Sequence, residues 1–391
     1  MTATNSFTGL EMAKSIETIV TEGAADAEKQ RTLPQKTVDA LWESGLMQWM
    51  NPVEAKGTDP SLLDMIDVWQ ELARQDGSVG WVSIANLPST AAAAAYLPEQ
   101  GFDEVFVQND YRVTMGGHLA PNGQGNTVEG GYQLSGFWSF GSGTAHSQYI
   151  GAGFIGFNNG DMIADEAGMP TLMAAIIPRD EINFTDGWHV TGLKGTGSFD
   201  YNVQDLFVPE YRTYQLFTRT PVRGSNTYKL GMMPIVAAGH AAWALGVARS
   251  ALDDISQLAS SKTRMGEQFS TADKLTFQRD LAHHESMWRA ARLLVTDTFS
   301  RISTDVKGGE ILSPLMRADM RMAATYATEA SREVVQFAHL FAGTNAIREG
   351  SRLERAFRDM YTGTQHAFIS EKTYTDSAKI MLGLAEDFPG L

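Results

Sequence analysis

From Gly136 to His146 the chain reads Gly-Phe-Trp-Ser-Phe-Gly-Ser-Gly-Thr-Ala-His, led in by Glu129-Gly-Gly-Tyr-Gln-Leu. Three aromatic residues, Phe137, Trp138 and Phe140, stand among Gly141, Ser142 and Gly143, whose backbone can approach a ligand closely. On composition alone this is a β-hairpin with buried aromatics. The same mixture of flat apolar walls and small polar donors also suits a planar cofactor. Around it lie the β-favouring runs Tyr132 to Ser135, Gln148 to Gly151, Leu172 to Ile177 and Val203 to Val208. Asn122-Gly123, Glu129-Gly130-Gly131 and Asn159-Gly160 are turn signals between them. A compact antiparallel β domain is expected over residues 113–225.

On both sides the apolar period changes to that of a helix. Upstream, Val38, Leu41, Trp42 and Leu46 recur at helical spacing, as do Leu62, Ile66, Trp69, Leu72 and Ala73. Residues 1–112 are therefore expected to form a helical domain. Downstream, Ala241, Leu245, Ala248, Leu252 and Ile255 alternate by four and three. The set Phe277, Leu281, His284, Trp288, Ala291, Val295, Phe299 and Ile302 does the same. Ser313-Pro314 is a cap followed by proline at the first helical position, and Gly343 stops the helix it opens. Long helices with short connections predict a four-helix bundle over residues 226–391. The fold class is α+β, mainly α, in the order helical domain, β domain, bundle.

Composition narrows the function. The 391 residues are 43% hydrophobic and 20% charged, the balance of a globular chain. Net charge is −15 and no dense Lys/Arg run appears, which argues against a nucleic-acid partner. Cysteine is absent, so disulfides, cysteine nucleophiles and thiolate metal sites are excluded. No apolar run approaches the roughly 20 residues of a membrane span. Met1 to Phe7 lacks the pattern of a secretory signal, and a cytoplasmic protein is expected. Neither the dinucleotide fingerprint, the P-loop nor the hydrolase elbow is present. No glutamate has a histidine three residues on, so the di-iron pattern of helical bundles is missing and no metal is expected. His283-His284 lies mid-helix, where adjacent side chains diverge by about 100°.

Two more segments draw attention. Gly192-Leu-Lys-Gly-Thr-Gly-Ser-Phe-Asp200 interleaves glycines with Thr196 and Ser198, giving a tight turn with exposed donors. Glu354-Arg-Ala-Phe-Arg-Asp-Met-Tyr-Thr-Gly-Thr-Gln-His366 sets Arg355, Arg358 and Asp359 close enough on a helix for an ion-pair network, ahead of a lone histidine.

These segments, in this order, together with Glu71-Leu-Ala-Arg-Gln-Asp-Gly-Ser-Val-Gly-Trp81, resemble the acyl-CoA dehydrogenase superfamily. The likeness spans most of the chain and is greatest to the oxygen-using branch, the two-component flavin-dependent monooxygenases of group D. One position separates this branch from the dehydrogenases, which commonly carry a catalytic glutamate about eight residues after the Arg-Asp pair. Here that count from Asp359 reaches Ala367, beside His366. The resemblance implies reduced flavin (FMNH2 or FADH2) delivered by a separate NAD(P)H-dependent reductase. It further implies reaction with O2 to a C4a-(hydro)peroxyflavin that oxygenates an aromatic or other planar apolar small molecule, and a homotetramer or dimer. The alternatives are a dehydrogenase-type enzyme with tightly held FAD, and a flavin-less binding module on the same fold.

Site roles follow from the resemblance, residue by residue. Ser142 matches the hydroxyl near flavin N5, with Gly143 beside it, and Trp138 and Phe140 would wall the ring. Thr196 and Ser198 resemble the loop that closes over the flavin. His366 would contact the reacting oxygen or deprotonate a phenol, and His118 falls where some phenol hydroxylases keep a substrate-binding histidine. Arg264 resembles an arginine that reaches a flavin phosphate across subunits. His146 ends the aromatic motif with no role assigned.

Overall fold

The structure is a computed structural model that describes residues 8–164, 168–263, 265–307 and 312–387. Helices come first: α1 Gly9–Ser15, α2 Glu17–Gln30, α3 Gln35–Glu43, α4 Leu46–Trp49, α5 Leu62–Gln75, α6 Gly77–Tyr96 and α7 Glu99–Val105. The strands follow as β1 Met115–Val128, β2 Gly131–Gly141, β3 Tyr149–Asn158, β4 Asp161–Met162, β5 Leu172–Pro178, β6 Asn183–Thr185, β7 Phe199–Pro209 and β8 Thr213–Gln215. The chain closes with α8 Met232–Ser261, α9 Leu275–Lys307, α10 Pro314–Ala342, α11 Arg352–Gly363 and α12 Glu371–Met381.

Local chemistry explains the boundaries that matter most. Asp76 caps α6, its Oδ1 accepting from the N–H groups of Ser78 and Val79 at 3.0 Å each. Ser313 caps α10 by accepting from the Met316 N–H, and Gly343 ends that helix, as its sequence predicts. Asn159 and Gly160 both have positive φ (51° and 89°), the geometry of a two-residue hairpin turn. Asn122-Gly123 is not a turn. Both residues lie inside β1, whose register shifts between His118 and Gly123, so the glycine serves a bulge.

The sheet runs β6-β7-β2-β1-β3-β5-β8, with β4 paired to β3. It is not wholly antiparallel. β1 and β3 run parallel, because the chain crosses from the end of β2 through the 142–148 loop before re-entering beside β1. That crossing begins just past β2 at Ser142, which is bridged antiparallel to Gly117 of β1.

Three apolar cores result. One fills the helices around Trp69 and Leu72 and extends into α8 and α9. A second lies in the bundle around Trp243, and a third inside the sheet around Trp138, Phe154 and Tyr201. Helix α8 corrects one expectation, since it is long and apolar enough to cross a membrane by length and composition. However, 89% of its most apolar window is buried inside the protein, so it is a core helix.

Candidate active site between the sheet and the bundle

Ser142 begins the site. Its hydroxyl is 2.8 Å from that of Ser198, which is 2.7 Å from that of Thr196, and Thr196 donates to the Leu193 carbonyl at 2.9 Å. The loop 192–198 is stitched to the end of β2 a second time, where the Gly143 N–H donates to the Thr196 carbonyl at 2.9 Å. Gly143 has φ 69°, and a Cβ there would lie 2.3 Å from the Asn86 side chain, so only glycine fits. Thr196 and Ser198 are buried at 0% and 2% exposure, so the donors expected to be exposed form an internal hydroxyl chain ending on Ser142.

Trp81, one turn into α6, joins this chain to the bundle. Its indole N–H donates to Ser142 Oγ at 3.2 Å, and its ring meets His366 edge-on with centroids 5.7 Å apart. The ring also meets Trp243 at 4.9 Å and His240 at 5.6 Å. One indole therefore separates the Ser142 hydroxyl from the His366 imidazole.

His366 sits in the turn after α11. That turn is held where the His366 N–H donates to the Gly363 carbonyl at 3.2 Å and the Ile369 N–H to the His366 carbonyl at 2.9 Å. Gly363 lies against Trp243, where a Cβ would come within 2.1 Å of the indole. By surface area His366 is exposed, yet protein surrounds it closely enough that burial pushes its imidazole down to about 4, helped by His118 and Arg321. The side chain reaches solvent while its ring packs against those of Trp81 and His240. Half-buried His118 and His146 behave alike. Burial pushes His118 down, and it pushes His146 down to about 4 with help from Arg179. The Nδ1 atoms of both, and the Oδ1 of Asn86, are buried without a protein partner. His240 lies behind His366, with ring centroids 5.4 Å apart.

The other expected residues fall in different places. Phe140 presents an exposed ring from a backbone at φ 65°, edge-on to Trp188 at 6.4 Å. Trp138 does not reach the recess. It has no exposed surface, donates to the Gly153 carbonyl at 2.9 Å and stacks on Tyr201 at 5.4 Å, so it is a core residue of the sheet. Arg264 lies outside the described residues. The ion-pair network also differs from its expected form. Arg358 pairs with Glu354 and, at 2.7 Å, with Glu28, and Arg355 lies 3.3 Å from Glu28. Asp359 instead accepts the Leu193 N–H at 2.6 Å, anchoring the loop that carries Thr196 and Ser198.

Two contributors were not singled out beforehand. Trp81 closes a segment noted only for its resemblance, and the signal was there in an aromatic set one helical turn after Gly77. His240 lies in the apolar middle of α8. Its Nε2 is 3.2 Å from the Gly363 carbonyl and its Nδ1 is 3.2 Å from Thr328 Oγ1. Burial, then repulsion from His366, pushes it down to about 3. Nothing in the local sequence distinguishes it from an ordinary core histidine.

Flat rings, a buried hydroxyl chain, close glycine backbone and buried polar atoms without protein partners are the groups that would hold an isoalloxazine and a planar guest. Two family models match the chain. The N-terminal domain model of acyl-CoA dehydrogenase matches residues 11–103, and the C-terminal domain model matches 238–371. The oxygenase subunit HsaA of a Mycobacterium tuberculosis flavin-dependent monooxygenase is 30% identical over 370 residues, covering 89% of this chain and 88% of that one. The chain belongs to the acyl-CoA dehydrogenase superfamily. An indole-3-acetate monooxygenase of Pseudomonas putida is 28% identical over 372 residues, covering 93% of this chain and 90% of the relative. Among solved structures, a 3-HSA hydroxylase from Rhodococcus sp. RHA1 superposes with a TM-score of 0.89 at 24% identity, covering 99% of this chain and 100% of that one. XiaF of Streptomyces, solved with FADH2, superposes at 0.88 with 21% identity, covering 98% and 97%. At these identities the superpositions establish the superfamily fold.

Proposed function

We propose that this chain is the oxygenase component of a two-component flavin-dependent monooxygenase. It takes reduced flavin, FMNH2 or FADH2, from a separate NAD(P)H-dependent reductase in the cytoplasm and oxygenates a planar, largely apolar aromatic molecule. The observation that carries this reading is Trp81, whose single ring touches the Ser142 hydroxyl on one side and the His366 imidazole on the other. When bound, the reduced flavin supplies the activated oxygen.

The chain's own residues do the rest. Ser142, aimed by Trp81 and Ser198, is suited to hold the hydrogen bond at flavin N5, with the Gly143 backbone against the ring edge. Thr196 and Ser198 keep that hydroxyl from turning away. Phe140 supports a wall at the mouth. His118 and His366 handle the proton of the guest or of the reacting oxygen, and an uncharged set of imidazoles keeps water from being drawn in. A homotetramer or dimer is part of this reading.

The dehydrogenase reading is weaker. Ala367, at the position counted from Asp359, cannot accept a proton. The test is to mix chemically reduced FMN or FAD with O2 and the protein, with and without indole as a first aromatic probe. Slower peroxide release than from free flavin, with an oxygenated product, is expected. Peroxide released at the free-flavin rate would remove the proposal.

A further inference from the structure

Arg321 is a buried arginine on α10, 9% exposed, lying beneath the turn that carries His366. It grips one residue of that turn at two points. Its Nη2 donates to the Phe368 carbonyl at 2.7 Å, with Thr373 Oγ1 at 3.3 Å, and its guanidinium carbon lies 3.8 Å from the centre of the Phe368 ring. The Phe368 N–H in turn donates to His366 Nδ1 at 3.2 Å. From these contacts we infer that Arg321 is a positioning residue for His366: by fixing Phe368 it aims that residue's N–H at Nδ1, which places the imidazole proton on Nε2.

The physical argument has two steps. A neutral imidazole has one donor and one acceptor nitrogen, so a ring whose Nδ1 accepts a backbone N–H carries its hydrogen on Nε2. A partner that fixes the tautomer of a functional histidine is the usual device for orienting it. Only a planar guanidinium can bond a carbonyl in its plane and lie over an aromatic face at once, so lysine reproduces the charge and not the grip. The groups facing His366 agree with a neutral ring. Arg321 comes from α10, with Asp376 of α12 bearing on it. His118 comes from β1, His240 from α8 and Trp81 from α6. His366 would then start the reaction as a hydrogen-bond donor, through Nε2–H, toward an oxygen in the recess.

This inference rests on His366 facing the reaction, but its test does not need turnover. The protein, free of flavin and labelled with 15N-histidine, is examined by long-range 1H–15N correlation, with His366→Gln assigning the signal. In the unaltered protein the His366 proton should sit on Nε2. Arg321→Met should lower the Nε2–H to Nδ1–H ratio by about tenfold, the worth of one hydrogen bond. Arg321→Lys should fall between. If circular dichroism shows that Arg321→Met does not fold, Phe368→Leu carries the test, since it keeps the N–H and the carbonyl and loses the ring contact. A single Nε2–H form persisting in the folded variants, or an Nδ1–H form in the unaltered protein, overturns the inference. If instead His366→Ala leaves product yield per flavin oxidised unchanged, the functional reading fails while the tautomer result stands.

Discussion

The two walls of the recess are built on opposite physical plans. The sheet wall is made of hydroxyls, Ser142, Ser198 and Thr196, on short loops whose geometry is set by glycines and backbone bonds. None of these groups titrates in the physiological range. The bundle wall is made of imidazoles, His366 with His240 behind it, held by contacts from α8 and α10 that are far away in sequence. Both imidazoles titrate, and burial holds them neutral. The hydroxyls should therefore be indifferent to pH, and the imidazoles, with His118 of β1 among them, should fail as pH falls.

The largest effect is expected from breaking the bundle wall. His366→Ala should lower product formed per flavin oxidised by about a hundredfold, the low end for a positioned acid or base, with hydrogen peroxide rising to match. Breaking the sheet wall should cost less. Ser142→Ala removes one hydrogen bond to the flavin and should speed peroxide release by about tenfold. That loss should be the same at pH 6 and pH 8, whereas the remaining activity of the unaltered protein should fall as pH is lowered toward about 4.

A pair of tryptophans sharpens the contrast. Trp81→Phe should uncouple oxygen use from product with a small change in melting temperature. Trp138→Phe should do the reverse, costing about 1–3 kcal/mol of stability for its lost hydrogen bond and volume while leaving coupling intact.

Thermal stability should also depend on pH with a worked-out sign. His146, His240 and His366 have folded values of about 4, about 3 and about 4, below the ordinary 6.5. Between those limits the unfolded chain binds more protons, so stability is lost as pH falls from 6.5 toward 4. Asp359 opposes this. Burial and the nearby Asp76 push it up to about 7, so the folded chain holds its proton while the unfolded chain does not, and stability is lost as pH rises toward 7. Asp76, also pushed up by burial, acts in the same sense as Asp359. With three histidines against these two carboxyls, the melting temperature should fall on the acid side, and His240→Gln should make that fall shallower. The smallest effect is expected from Asp359→Asn, which should gain in melting temperature relative to the unaltered protein between pH 5 and pH 8.

These contrasts also explain what could be read in the residues alone. The sheet wall was legible because its parts are local: glycines beside hydroxyls mark a tight loop wherever they occur. The bundle wall was legible only through His366, by its place after Arg358-Asp359. His240 was not, since an isolated histidine in an apolar helix looks the same whether it supports a site or fills a core. Trp138 was misplaced for a related reason. In a strand, neighbouring aromatics point to opposite faces, and composition does not say which face meets the ligand. The parallel pairing of β1 with β3 was hidden because it depends on where the 142–148 loop crosses. Asp359 was assigned to its arginine neighbours when its partner, the Leu193 N–H, comes from another domain.

A crystal soaked with oxidised flavin tests the shared recess most directly. The ring should lie beside Trp81, with N5 within hydrogen-bonding distance of Ser142 Oγ and His366 across the same space. Flavin bound away from both side chains, with Trp81 untouched, would contradict the account.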